Sequence, residues 1–160
     1  MTTQSPFLTP STKAQGALFN VPVADQKDNG PVMTGSIEVE SQKILVSGFL
    51  KTANSTGNNY LSLALAAPLP ENYTDADREN QLRYYGKLFR QAEKRSTSSP
   101  DYTGFITVLP CTSPQQYSDD QWDAAPNLQV WGWRRRNADG SSRIALSLAP
   151  REVAADEVNF

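Results

Sequence analysis

The chain contains no histidine and only one cysteine, Cys111. The first absence removes Ser-His and Cys-His nucleophile–base pairs and every His-bearing metal site. The second excludes an intramolecular disulfide. Neither sign of charge dominates: 15 Lys and Arg stand against 17 Asp and Glu, a net charge of −2. A uniformly basic surface is therefore absent. No apolar run approaches the ~18 residues of a membrane-spanning helix. Met1 to Pro10 lacks the basic start and apolar stretch of a secretory signal, so a cytoplasmic location without membrane contact is the expectation. No loop carries the ligand spacing of a hard-cation site, and no Gly-rich phosphate loop is present. Asp75/Asp77 and Asp119/Asp120 are acidic pairs, read here as helix-start and loop residues rather than a catalytic couple. The expectation is a protein that is not an enzyme and has no metal or cofactor.

What is abundant is punctuation. Eleven prolines and nine glycines favour many short elements over long helices. Between them runs an internal repeat. Gly16-Ala17-Leu18-Phe19 matches Gly86-Lys87-Leu88-Phe89. Thr34-Gly35-Ser36-Ile37-Glu38-Val39 matches Thr103-Gly104-Phe105-Ile106-Thr107-Val108. Val46-Ser47-Gly48-Phe49-Leu50-Lys51 matches Val130-Trp131-Gly132-Trp133-Arg134-Arg135, and Leu61-Ser62-Leu63 matches Leu146-Ser147-Leu148. Four blocks in one order read as a tandem duplication.

Each block reads as a strand. Ile44–Lys51 and Leu128–Arg135 run into Asn-, Asp- and Gly-rich hairpin loops. Leu61, Leu63 and Leu65, and later Ile144, Leu146 and Leu148, alternate with small or polar residues, the pattern of half-buried antiparallel strands. The fold class expected is mostly β: two tandem four-stranded antiparallel meander units packed into a barrel-like or curved-sheet body, OB-like or related, with one short helix between them. The divisions are a flexible N-terminal arm (1–15), a first β unit (16–67), a linker (68–85), a second β unit (86–150) and an acidic tail (151–160). In the linker, Thr74-Asp75-Ala76-Asp77 predicts a helix start. The helix is placed at about Asp75 to Tyr84, followed by an extended segment; a helix running on through Arg95 is the alternative. The second unit also carries an insertion around Pro110–Asn127, a long loop with Trp122 suited to packing down.

Alternation on the third strands sets Trp131, Trp133 and Arg135 on the face opposite Leu128, Val130, Gly132 and Arg134. In the first unit the same face carries Phe49 and Lys51, and the fourth strands add Tyr60 and Arg143. An aromatic followed two positions later by a cation is what a single-stranded nucleic acid needs: a ring stacks on a base, worth about 1–3 kcal/mol, and the cation meets a phosphate. Arg134, Arg135 and Arg136 enter a hairpin together, and guanidinium groups bind phosphate well. The competing assignments are that the aromatics fill an interface between the two units and that the arginines form a solvated edge.

The chain ends Glu152-Val153-Ala154-Ala155-Asp156-Glu157-Val158-Asn159-Phe160. This stretch resembles the acidic tip of bacterial and phage single-stranded-DNA-binding proteins, which ends in Phe and recruits replication partners. It departs from that tip in having no Pro before the Phe. The resemblance gives Asp156, Glu157 and Phe160 a partner-binding role. The repeated blocks in turn resemble small uncharacterised proteins of phages and mobile elements with Gly-x-Leu-Phe, Pro-Asp-Tyr-x-Gly, Gly-Trp and Ser-Leu motifs. Pro100-Asp101-Tyr102-Thr103-Gly104, Gly132-Trp133 and Leu146-Ser147-Leu148 carry that likeness best.

The function expected is therefore single-stranded DNA binding in a phage-infected or plasmid-bearing cell. Phe49, Lys51, Tyr60, Trp131, Trp133, Arg134, Arg135, Arg136 and Arg143 would meet the strand, and the tail would meet replication or recombination proteins. A homodimer is compatible with this reading. The alternative is a protein–protein module, an inhibitor of a host factor or an accessory structural protein, acting through the 110–127 loop or acidic surfaces.

Overall fold

The computed structural model describes residues 6–54, 56–91 and 96–150. Eight antiparallel strands close into one barrel: β1 (Ala14–Asn20), β2 (Met33–Val39), β3 (Gln42–Thr52), β4 (Asn59–Ala66), β5 (Arg83–Arg90), β6 (Tyr102–Cys111), β7 (Asn127–Arg136) and β8 (Ser142–Pro150). They follow one another around the barrel in chain order, and β8 pairs with β1. Of the barrel and curved-sheet forms expected, the barrel is realised. Closure leaves no sheet edge unpaired. The two meander units share one core instead of packing as separate bodies.

The repeat is carried into the pairing register. Gly16 faces Ile37 and Leu18 faces Gly35; in the second unit Gly86 faces Ile106 and Leu88 faces Gly104. Gly35 and Gly104 face Val46 and Val130. Across the joins between units, Leu63 faces Gly86 and Leu146 faces Gly16. The fourth block needs a correction. Gly48 faces Leu63 whereas Gly132 faces Leu146, so the structural partner of Leu146 is Leu63, not Leu61. A two-residue slip keeps the same face of the strand inward, which is why alternation alone did not reveal it.

The barrel interior is aliphatic. Leu18, Ile37, Ile44, Leu63, Leu65, Leu88, Ile106, Leu128, Val130 and Leu148 are almost wholly removed from water. Tyr84 is the one buried aromatic among the described residues. At the lower end, Phe7 packs edge-on against Tyr84 with ring centroids 4.7 Å apart, and Leu8 is buried beside it. The stretch read as a free arm thus contributes a plug from Phe7 onward.

The linker holds α1 (Asp75–Glu79), shorter than expected, and the repeat correctly places Gly86–Phe89 on a strand. Thr74 and Asp77 form a reciprocal cap: Asp77 N–H donates to Thr74 Oγ1 at 3.1 Å, and Thr74 N–H donates to Asp77 Oδ2 at 3.0 Å. The insertion contains a second helix, α2 (Asp119–Ala124), so Asp119 and Asp120 sit in a helical first turn and not in a loop. Ser118 and Gln121 cap it in the same reciprocal way, a spacing visible in the sequence.

Candidate nucleic-acid interface

With the inside filled by branched aliphatics, and Tyr84, Phe7 and Tyr102 at its two ends, most of the other strand aromatics lie outside. Phe49, Phe105, Trp131 and Trp133 are half-buried at outward-facing strand positions, and Phe89 is 37 % exposed. The interface-filling role considered for them does not arise, because the units join edge to edge through β4–β5 and β8–β1 and share an interior that these rings do not enter.

The outward residues line up in registered rows across the wall from β3 to β7. In the upper row Lys51 faces Tyr60, the Tyr60 and Phe89 rings stand 5.5 Å apart, Phe89 faces Thr103, and Thr103 faces Trp131. In the row below, Phe49 faces Ser62, Ser62 faces Lys87, and Lys87 faces Phe105. Lys87 Nζ lies over the Tyr60 ring, 5.3 Å from its centroid, linking the rows. Five strands at about 4.8 Å spacing make this wall roughly 19 Å wide. Of these rows, sequence reasoning singled out Phe49, Lys51, Tyr60 and Trp131 as candidates but not Lys87, Phe89 and Phe105, which stand between them. It had confined the site to the third and fourth strands of each unit, although outward parity in the first two repeat blocks marks those three residues.

The foot of the wall is covered by the insertion. Trp122 packs edge-on against Tyr117 and Tyr85, with centroids 5.7 and 6.5 Å away, and its indole N–H donates to the Pro114 carbonyl at 3.1 Å. Between Trp122, Phe105, Lys87 and Ser62 lies a recess of about 250 Å³.

The arginine cluster divides. Arg135 and Arg143 face each other across β7 and β8, and Arg143 faces Phe19, itself 46 % exposed. Two like charges directly opposite on one face are mutually destabilising unless an anion joins them. Arg143 also donates to Asn137 Oδ1 at 2.8 Å, bracing the hairpin. Arg134 and Arg136 fall on the alternate, inward-register positions at the barrel mouth. Arg134 is committed there: its guanidinium donates to the Tyr102 hydroxyl at 2.9 Å, which holds its pKa above the ordinary value, and its backbone N–H donates to Asp101 Oδ2 at 2.7 Å. Arg134 and Arg136 therefore leave the face that carries Trp133 and Arg135. Trp133 donates its indole N–H to the Ser98 carbonyl at 3.0 Å, tying the β5–β6 loop over it. Asp156, Glu157 and Phe160 lie outside the described residues.

Charge is sorted by location. No carboxylate occupies an outward position on β3 through β8, where Lys43, Lys51, Lys87, Arg135 and Arg143 stand. Carboxylates stand in the connections instead, most densely at the lower end, with Glu71, Asp75, Asp77 and Glu79 in one and Asp119, Asp120 and Asp123 in the other; the upper connections carry Asp25, Asp28, Asp101 and Asp139. Among the described residues no group of three or more Cys, Asp or Glu could hold a metal ion, and no helix is long and apolar enough to cross a membrane. No protein-family model matches the chain, and neither a curated protein nor a solved structure matches it.

Proposed function

We propose that the protein binds single-stranded nucleic acid, DNA in a phage or mobile-element setting, along the outer wall of β3–β7. The observation that carries this reading is the placement of aromatic rings on the outer wall of a barrel with a largely aliphatic interior, in rows interleaved with lysines and free of carboxylates. Rings at outward positions offer faces to bases without regard to sequence, and Lys51 and Lys87 are placed to meet phosphates. A duplex hides its bases and offers this wall only phosphates. Trp133, Arg135, Arg143 and Phe19 continue the surface around the barrel and would lengthen the path of a strand. The acidic tail ending at Phe160 would recruit replication or recombination proteins.

The test is fluorescence anisotropy of a labelled oligothymidine against increasing protein at several salt concentrations, with duplex DNA as control. Single-strand binding with a salt slope that falls by about 0.7 for each of Lys51→Ala and Lys87→Ala supports the wall. An unchanged slope in both variants removes it. A protein–protein module is the second reading, favoured by the carboxylates at the lower end. It expects no oligonucleotide response and capture of a basic partner that weakens on Asp119→Asn/Asp120→Asn substitution.

A further inference from the structure

The barrel is plugged below and open above. At the upper mouth a cavity of about 310 Å³ lies between Met33, Leu61, Leu88 and Ile144, with Asn20, Asn59, Arg90 and Tyr102 toward the rim. That volume is at the lower end of the ~300–1,000 Å³ typical of small-molecule sites. Its position follows from a break in the pseudo-symmetry. At Gly132 a Cβ would meet Ile144 Cγ2 at 2.8 Å and Tyr102 Cβ at 3.2 Å, so the space is already filled. At Gly48, the equivalent position, the nearest atoms are Leu61 Cδ1 at 3.6 Å and Met33 Cβ at 3.7 Å, both on cavity-lining residues. Met33 stands where the second unit has Tyr102, and the smaller, flexible side chain leaves the first half of the mouth open.

Two features indicate the occupant. Leu50, at an inward-register position over the mouth, is 55 % exposed, an aliphatic side chain left in water at the entrance of an apolar cavity. The rim offers donors without a carboxylate among the lining residues: the Arg90 guanidinium, the Asn20 amide, and the Asn59 amide, whose oxygen already accepts from Thr52 Oγ1 at 2.9 Å. An apolar floor under a cationic, donor-rich rim is complementary to a small amphiphile with one anionic head. We propose that the barrel mouth binds a medium-chain carboxylate, its alkyl chain against Met33, Leu61 and Leu88 and its head on Arg90 and Asn59. Tyr60 of the outer wall also borders the cavity, but the residues assigned to chain and head lie on the inward face, so the site is tested separately from the wall.

Isothermal titration calorimetry of the full chain with octanoate, and with 1-octanol as the uncharged comparison, tests it. The expected result is one octanoate per chain, weakened about tenfold by Arg90→Gln, with octanol unaffected by that change. Gly48→Met, which fills the cavity from its open side, should abolish binding of both. If that variant does not fold, Arg90→Gln, at an exposed position, still decides. No heat with octanoate up to its solubility, equal octanoate binding by Arg90→Gln, or full binding by a folded Gly48→Met would each overturn the proposal.

Discussion

A methyl group on Gly35 would overlap the Ala17 carbonyl, and one on Gly104 the Lys87 carbonyl. The two units place glycine where neighbouring strands press backbone to backbone. Gly48 is a glycine of another kind, with only ordinary van der Waals contacts around a Cβ. Gly35→Ala and Gly104→Ala are each expected to lower stability by about 1–3 kcal/mol or more, and Gly48→Ala by under about 1 kcal/mol, measured by urea unfolding. Tyr84 makes a pH prediction at the same scale. Its complete burial raises the phenol pKa above the ordinary 10.0. The folded state then holds the proton more tightly than the unfolded chain. That contribution is intact below about pH 10 and is lost as pH rises through the raised value. Tyr84→Phe removes the titration and only long hydrogen bonds to Leu8, 3.4 and 3.5 Å. Unfolding curves between about pH 8 and pH 11 should show wild type losing stability faster than the variant on the alkaline side.

Strands were the elements most legible in the sequence. Period-two alternation in Leu61–Leu65 and Ile144–Leu148 and the recurrence of Gly-x-Leu-Phe define which faces are buried, and the barrel keeps those faces. Closure was not legible, because pairing β8 to β1 joins segments from opposite ends of the chain and leaves no local signature. The helix ends show the limit of periodicity. Leu82, Tyr85 and Phe89 recur at helical spacing, yet Arg83–Arg90 is a strand because both its neighbours supply ladder partners. The turn between β2 and β3 is tight, with Glu40 at φ 50° and Ser41 at φ 68°. Neither residue favours that region, whereas Asn-Gly does. The double substitution Glu40→Asn/Ser41→Gly is expected to raise stability by about 1 kcal/mol, read as a higher unfolding midpoint with an unchanged denaturant slope. The second unit replaces this turn by the insertion bearing α2, which turns a simple hairpin into a cover for Tyr85.

On the scale of the whole molecule, a net charge of −2 conceals a segregated surface. From β3 through β8 carboxylates are confined to the connections, most densely at the lower end, while lysines and arginines stand among rings on the walls. Sequence reasoning placed Phe49, Lys51, Tyr60 and Trp131 outward but could not bring them together. Their connection runs through Lys87, Phe89 and Phe105 on strands whose pairing the sequence leaves open. Alternation in the sequence already set Arg134 on the face opposite Arg135; Arg134 and Arg136 joined the candidate site only as neighbours at the hairpin entry, and the register keeps the two faces apart. The wall reading is tested most directly by the emission of Trp131 alone, in the Trp122→Phe/Trp133→Phe protein, titrated with an oligothymidine of about 30 bases at low and moderate salt. Stacking on the wall requires saturable quenching that fades as salt rises and is absent with duplex DNA. Unchanged emission at low salt from a folded protein would contradict single-strand binding on this surface.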